Sequence, residues 1–130
     1  MQKLDAVDLV VLSRDDSPLH PRVQQAIDSQ QGVRIVLHRI VGTPREGDIN
    51  KWVTIARARN RAKLCGHAPW LMFLDDDVVI PSDCVEKLVQ AIKDSPELGA
   101  VAADYQKKAR PRHGTVQHHV ALGATLFDRN

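Results

Sequence analysis

The sequence predicts an α/β domain, a parallel sheet covered by helices on both faces. Short apolar, β-branched runs alternate along the chain with segments of helical periodicity. Those runs are apolar at successive positions, as in strands buried on both faces, instead of alternating apolar with polar. The chain of 130 residues is one domain long and can bury a sizeable core.

Residues 7–12, "VDLVVL", form the first run, a buried strand with one aspartate inside it. "DDSPLHP" follows as a loop, with Pro21 suited to a first helical turn. Val23, Ala26 and Ile27 make a helical stripe that Gly32 closes, and residues 33–37 form a second buried-type strand. "HRIVGTPREGDIN" reads as a long polar loop. Trp52, Ile55, Ala56, Arg59, Ala62 and Lys63 mark the face of a second helix ending near Gly66. Residues 70–74 are the third strand. Val85, Leu88, Val89 and Ile92 recur at i, i+3, i+4 and i+7, a third helix with Asp83 and Glu86 as a capping-box pair. Residues 100–103 form a fourth strand, 104–117 a basic loop and 118–127 a last strand.

Composition is ordinary for a globular protein, with 43% apolar and 26% charged residues. A net charge of +2 argues neither for nor against a nucleic-acid partner, and none is assigned. The two cysteines, Cys65 and Cys84, sit in separate helical patterns, which predicts buried reduced thiols. The N-terminal apolar run is interrupted by Asp5 and Asp8 and lacks the build of a signal peptide. No run approaches the length of a membrane span, so the expected location is cytoplasmic.

In a sheet of this kind ligands bind beyond the carboxyl ends of the strands. One such end is "WLMFLDDDVVIP", where a buried run meets three aspartates. In an extended segment Asp75 and Asp77 point to one side and Asp76 to the other. Two carboxylates with coordination positions to spare suit Mg²⁺ or Mn²⁺ holding substrate phosphates. The plainer alternative is a solvated acidic turn leading to Pro81.

The stretch "WLMFLDDDVVIPSDCVEKLVQAI" resembles the Asp-x-Asp region of family 2 glycosyltransferases, in which a hydrophobic strand runs into the aspartates, then a proline, then a helix. "TIARARNRAKLCGHAPW" resembles the Ala-Arg-Asn segment of that family, "VDLVVLSRDDSPLHPRVQQAIDSQ" its opening strand, nucleotide loop and first helix, and "HHVALGATLFDRN" a later strand. The resemblance covers nearly the whole chain in order. It implies the GT-A fold, a Rossmann-like, mostly parallel sheet flanked by helices, as a single nucleotide-sugar-binding domain over residues 1–130. It also implies a divalent metal, Mn²⁺ or Mg²⁺, a nucleotide-diphosphate sugar as donor, and an unknown acceptor.

By the same resemblance, Asp75 and Asp76 match positions that reach the ribose and the metal, and Asp77 the main metal-holding carboxylate. Arg59 and Asn60 match a segment lining the nucleotide pocket, and Ser13 and Asp15 match positions near the base. The family's acid pair after the second strand is replaced by "IVLHRIVG", and its opening loop lacks the usual aromatic. The catalytic carboxylate of inverting members lies downstream of the strand matched by "ALGATLFDRN", so the resemblance implies either a truncated donor-binding half, its acceptor and base part absent, or a small stand-alone relative, and no catalytic residue is assigned. A donor side alone would bind nucleotide, transfer sugar slowly and self-associate as a homodimer. Asp128 is the nearest late acid. His118 and His119 are weighed as metal ligands against strand positions, "QKKARPRHG" as an anion-attracting segment against a solvated loop, and Arg14 as a phosphate contact. Trp52 and Trp70 are placed in the core in preference to stacking on sugar. Two other readings compete with the metal-dependent glycosyltransferase. One is a non-catalytic nucleotide-binding or assembly module of the same fold. The other is a haloacid-dehalogenase-type phosphatase, whose Asp-x-Asp-x-Val pattern "FLDDDVV" satisfies although two strands precede it.

Overall fold

The computed structural model describes residues 4–103 and 124–129. Its elements follow in the order β1 (Asp5–Ser13), α1 (Pro21–Asp28), β2 (Val33–Val41), α2 (Lys51–Ala62), β3 (Trp70–Asp75), α3 (Cys84–Asp94), β4 (Ala100–Ala102) and β5 (Ala124–Asp128). The strands form one mostly parallel sheet in the order β2-β1-β3-β5-β4. β1 is parallel to both β2 and β3. The mostly parallel sheet is as expected, and β5 is its antiparallel member, inserted between β3 and β4. An apolar run reports that a strand is buried, and it carries no record of the direction in which the strand runs.

Strand alternation divides the core in two. Val7, Leu9 and Val11 of β1, with Met72 and Leu74 of β3, pack against Val23 and Ile27 of α1 and against Val85, Leu88, Val89 and Ile92 of α3. On the other face Val10, Leu71 and Phe73 pack with Ala58 and Ala62 of α2. Small residues on α2 let its backbone approach the sheet. The buried stripe of α2 is Thr54, Ala58 and Ala62 at i, i+4 and i+8. The expected face is therefore displaced, and Trp52, Ala56 and Lys63 are exposed. β2 also runs to Val41, so "HRIV" is strand and the polar loop begins at Gly42.

The helix starts are set locally. Pro21 opens α1 behind His20, whose Nδ1 accepts from the backbone N–H of Arg22 at 3.1 Å. Asn50 caps α2, its Oδ1 accepting from the N–H groups of Trp52 (3.0 Å) and Val53 (3.3 Å). The capping box expected at α3 does not form. Asp83 makes no side-chain cap bond and pairs with Lys87 at 2.8 Å, and that hydrogen bond lowers its pKa.

The aspartate within β1 is the unusual element of the core. Asp8 is 2% exposed. Its carboxylate accepts from His38 Nε2 (2.9 Å), the N–H of Ala68 (2.8 Å) and the guanidinium of Arg129 (3.0 Å). Arg129 also donates to the carbonyls of Ala68 (3.1 Å) and Cys65 (2.5 Å). Gly66 passes directly over this carboxylate with φ +67°, and a Cβ there would lie 2.2 Å from Asp8 Oδ1. Only glycine meets both demands. Burial pushes the Asp8 carboxyl up. The hydrogen bonds from His38 and Ala68 and the charges of His38 and Arg129 outweigh burial and hold it below 3.8.

Both cysteines are free, as expected. Cys84 is buried in the first turn of α3, and burial pushes its thiol up to about 11. Cys65 departs from the expectation. It lies past the end of α2 and is only partly buried, with its Sγ 3.9 Å from the carbonyl of Arg61.

Asp8→Ala should cost about 3–5 kcal/mol in urea unfolding, because it strands the Arg129 charge. The double change Asp8→Ala with Arg129→Met should cost less than the sum of the two single changes. A carboxyl held below its unfolded value stabilises fully above pH 3.8, and that contribution is lost as the pH falls through 3.8 and below. The acid limb of the stability profile should therefore be shallower in Asp8→Ala than in the parent. In the native protein iodoacetamide should modify Cys65 well before Cys84, as peptide mass mapping would read.

Candidate functional site

The carboxyl ends of β1, β2 and β3 meet in one row, where Leu12 pairs with Ile40 on one side and Asp75 on the other. One residue further on, the N–H of Gly42 donates to the carbonyl of Ser13 at 2.8 Å. From this point the chain leaves β1 for α1 on one face and β2 for α2 on the other. Loops that part in this way leave a crevice above the strand ends, the usual ligand position in open α/β sheets.

The aspartates stand at this end. β3 stops at Asp75, which is half-buried, and the N–H of Val78 donates to the Asp75 carbonyl at 3.3 Å. The intervening Asp76 and Asp77 are exposed in the resulting turn. The expected alternation of side chains along an extended segment therefore does not apply, since the strand ends before Asp76. The last two aspartates stand in a turn. Among the described residues no three His, Cys, Asp or Glu side chains form a metal-holding group. The donors available are carboxylate oxygens at a solvent-facing turn, a hard and incomplete set. This chemistry fits Mg²⁺ or Mn²⁺ with its other positions filled by substrate oxygens and water.

Ser13 and Asp15 lie on the β1 side of the crevice. Ser13 is buried, and its Oγ accepts from the guanidinium of Arg39 at 2.9 Å. A second Arg39 nitrogen donates to the carbonyl of Ser17 at 2.8 Å. Asp15 is exposed and accepts from both the hydroxyl and the N–H of Ser17 (3.0 Å to the latter), bonds that lower its pKa. Arg14 is exposed in the same loop. Arg39 carries no signal of its own in the sequence, since the polar composition of residues 38–50 predicts loop. Extending the alternation of Val33, Ile35 and Leu37 by one step would have placed it on the α1 face.

α2 closes the other side. A Cβ built on Gly42 would stand 3.6 Å from the Ala58 Cβ, so this part of α2 is level with the strand ends. Arg59, the next residue, is partly buried, and its Nε has no hydrogen-bond partner among the described residues. A buried guanidinium N–H without an acceptor is costly and invites one. Asn60 is exposed. The loop into α2 is tied by Asp48, which accepts from the Arg57 guanidinium, the N–H of Arg45 (2.9 Å) and the Thr54 hydroxyl (2.8 Å). The Arg57 bond, followed by those from Arg45 and Thr54, lowers the Asp48 carboxyl to about 2. Neither Asp48 nor Arg57 was a candidate in the sequence. Trp70 is in the core as expected, but Trp52 is 63% exposed, with the Lys51 ammonium 4.9 Å from its ring centroid.

Other candidates fall elsewhere. Asp128 pairs with Trp70, at the start of β3, which puts it about 17 Å along the strand from Asp75. A late acid at the opposite end of the sheet cannot act as a base on chemistry at the aspartates. His118, His119 and the basic segment 104–117 lie outside the described residues. A cavity of about 310 Å³ between α1 and residues 79–82, and another of about 510 Å³ beside Arg129, are not lined by the aspartates. The chemistry and the register outweigh cavity size in locating the site, because an open turn encloses little volume. No helix among the described residues is long and apolar enough to cross a membrane.

The family model for glycosyl transferase family 2 matches residues 48–128, from the Asp48 loop through the aspartates to β5. Among solved structures, the chain is similar to a CMP:2-keto-3-deoxy-manno-octonic acid synthetase complexed with CTP. The identity is 16% and the TM-score 0.45, over 75% of this chain and 51% of that one. The chain thus spans about half the length of that structure. No curated protein sequence matches it.

The Asp48 tether has a direct readout. Asp48→Ala should quicken amide exchange at Arg45, whose N–H donates to it. In the parent that protection should hold above pH 3.8 and fall away only as the pH drops from 3.8 through about 2.

Proposed function

The chain belongs to glycosyl transferase family 2, and from that premise we propose that residues 1–130 form one nucleotide-sugar-binding domain that takes a nucleotide-diphosphate sugar in the crevice above β1, β2 and β3 for transfer of the sugar to an acceptor hydroxyl. The observation that carries this reading is the turn of Asp75, Asp76 and Asp77 at the tip of a fully apolar strand, one register row from Ser13. A buried strand gains nothing in packing by ending in three carboxylates, and their mutual repulsion is relieved by a cation.

In this reading Ser13 and Asp15 border the base and ribose end of the crevice. Asp75 and Asp76 face ribose and metal, and Asp75 and Asp77 hold Mn²⁺ or Mg²⁺. The spare Nε of Arg59 offers a charged donor to a diphosphate oxygen, with Asn60 beside it. The bound metal would neutralise charge developing on the departing diphosphate. In the transfer, the acceptor oxygen bonds to the anomeric carbon as that carbon's bond to the diphosphate oxygen breaks. The electron pair leaves with the diphosphate, and the acceptor hydroxyl's proton passes to solvent water.

Calorimetry with UDP, GDP and CDP, each with and without Mn²⁺, tests the proposal. At least one should bind in a metal-dependent manner, and Asp77→Asn should weaken it tenfold or more, about 1.4 kcal/mol. The thermal midpoint should stay close to the parent's, since an exposed turn carboxylate contributes little to the core. Equal affinity in the parent and Asp77→Asn would sink the assignment.

A further inference from the structure

Arg39 belongs to a strand, yet two of its bonds serve a loop. It lies on β2 in register with Val11 of β1, on the face that carries Val33, Ile35 and Leu37. From there one guanidinium nitrogen donates to Ser13 Oγ at the end of β1, and another to the carbonyl of Ser17. Ser13 and Ser17 are the two ends of the segment that contains Asp15. Residues 14–18 are exposed throughout. The other hydrogen bonds described for this segment are the local ones between Asp15 and Ser17. Local bonds set the shape of a loop and leave its position on the sheet free. The Arg39 charge also helps to lower the Asp15 pKa.

We infer that Arg39 is the positioning residue of the nucleotide loop. It fixes residues 14–17 on the end of β1 and, through them, sets the affinity for a nucleoside diphosphate. The inference rests on the nucleotide-binding reading above. It extends that reading to a residue that would act through the loop, with no direct contact to the ligand required. The hydroxyl and the carbonyl are met by two separate guanidinium nitrogens, whereas the three donors of lysine all sit on one nitrogen and match that spacing poorly. The Arg39 Nε is itself buried without a partner among the described residues. Holding a guanidinium so placed is costly, and stability alone would favour an apolar side chain there.

Two measurements on the parent, Arg39→Lys and Arg39→Met separate the possibilities. The first is amide hydrogen exchange of residues 14–18 without ligand. Exchange should quicken at least tenfold in Arg39→Met and by less in Arg39→Lys, while amides of β1 and β3 keep the parent's protection. The second is calorimetry with the nucleoside diphosphate that binds the parent in Mn²⁺. The dissociation constant should rise about tenfold or more in Arg39→Met, with partial recovery in Arg39→Lys. Unchanged loop exchange overturns the inference, as does faster exchange with unchanged affinity. If Arg39→Met does not fold, Arg39→Lys decides by the same two readouts. A parent that binds no nucleoside diphosphate overturns the nucleotide-binding reading and this inference with it, whereas a parent that binds beside variants that match it overturns this inference alone.

Discussion

A single buried carboxylate organises one end of the sheet. Moving an ionised group into an apolar interior costs several kcal/mol unless donors converge on it. Asp8 is such a group, in the interior strand β1, and its donors come from three other segments. His38 brings β2, Ala68 brings the approach to β3, and Arg129 brings the residue after β5. None of these placements is optional once Asp8 is buried. The network binds chain positions 8 and 129 at the cost of glycine at Gly66, where the backbone must cross close above the carboxylate. A buried ionic network of this kind is weak evidence for high stability. Here it determines which segments must come together.

The opposite end of the same strand has the reverse character. Five residues separate Asp8 from Ser13, about 17 Å along an extended chain. At the Asp8 end polar groups are buried and mutually satisfied. At the Ser13 end acids are exposed, a guanidinium nitrogen of Arg59 is unmatched among the described residues, and the loops part to opposite faces. A rigid end and a receptive end on one scaffold are what an α/β sheet supplies to ligand-binding chemistry. Because β1 joins both ends, the loop after Ser13 inherits its direction from a strand that the Asp8 network holds in place.

The fold was largely legible because burial leaves a periodic mark. Val85, Leu88, Val89 and Ile92 specify the inner face of α3, and all four are buried there. The aspartates were legible because three acids at the end of an apolar run break that mark. Three kinds of information were not written in the pattern. The direction of β5 is a property of pairing, which hydrophobicity does not encode. The face of α2 was misread because Trp52 looks like a core residue, whereas the close approach of helix to sheet selects Thr54, Ala58 and Ala62. The partners of Asp8 lie 30, 60 and 121 positions away, beyond the reach of local spacing. Arg39 was hidden for a smaller reason, since the polar residues after position 37 mark a loop although the strand continues to Val41.

The insertion of β5 also bears on the order in which the protein can be assembled during synthesis. β4 pairs with β5, and β5 occupies the position between β4 and β3. While the ribosome is still adding residues, β1, β2 and β3 can already pair, since all three emerge within the first 75 residues. β4 then emerges with no neighbour to receive it, and the far edge of β3 stays open until residues 124–128 arrive. An open edge beside a fully apolar strand is a site where nascent chains can stick to one another. β5 therefore closes both exposures at once, and a ribosome that stalls between residues 103 and 124 leaves behind β1, β2 and β3 paired with the apolar edge of β3 bare.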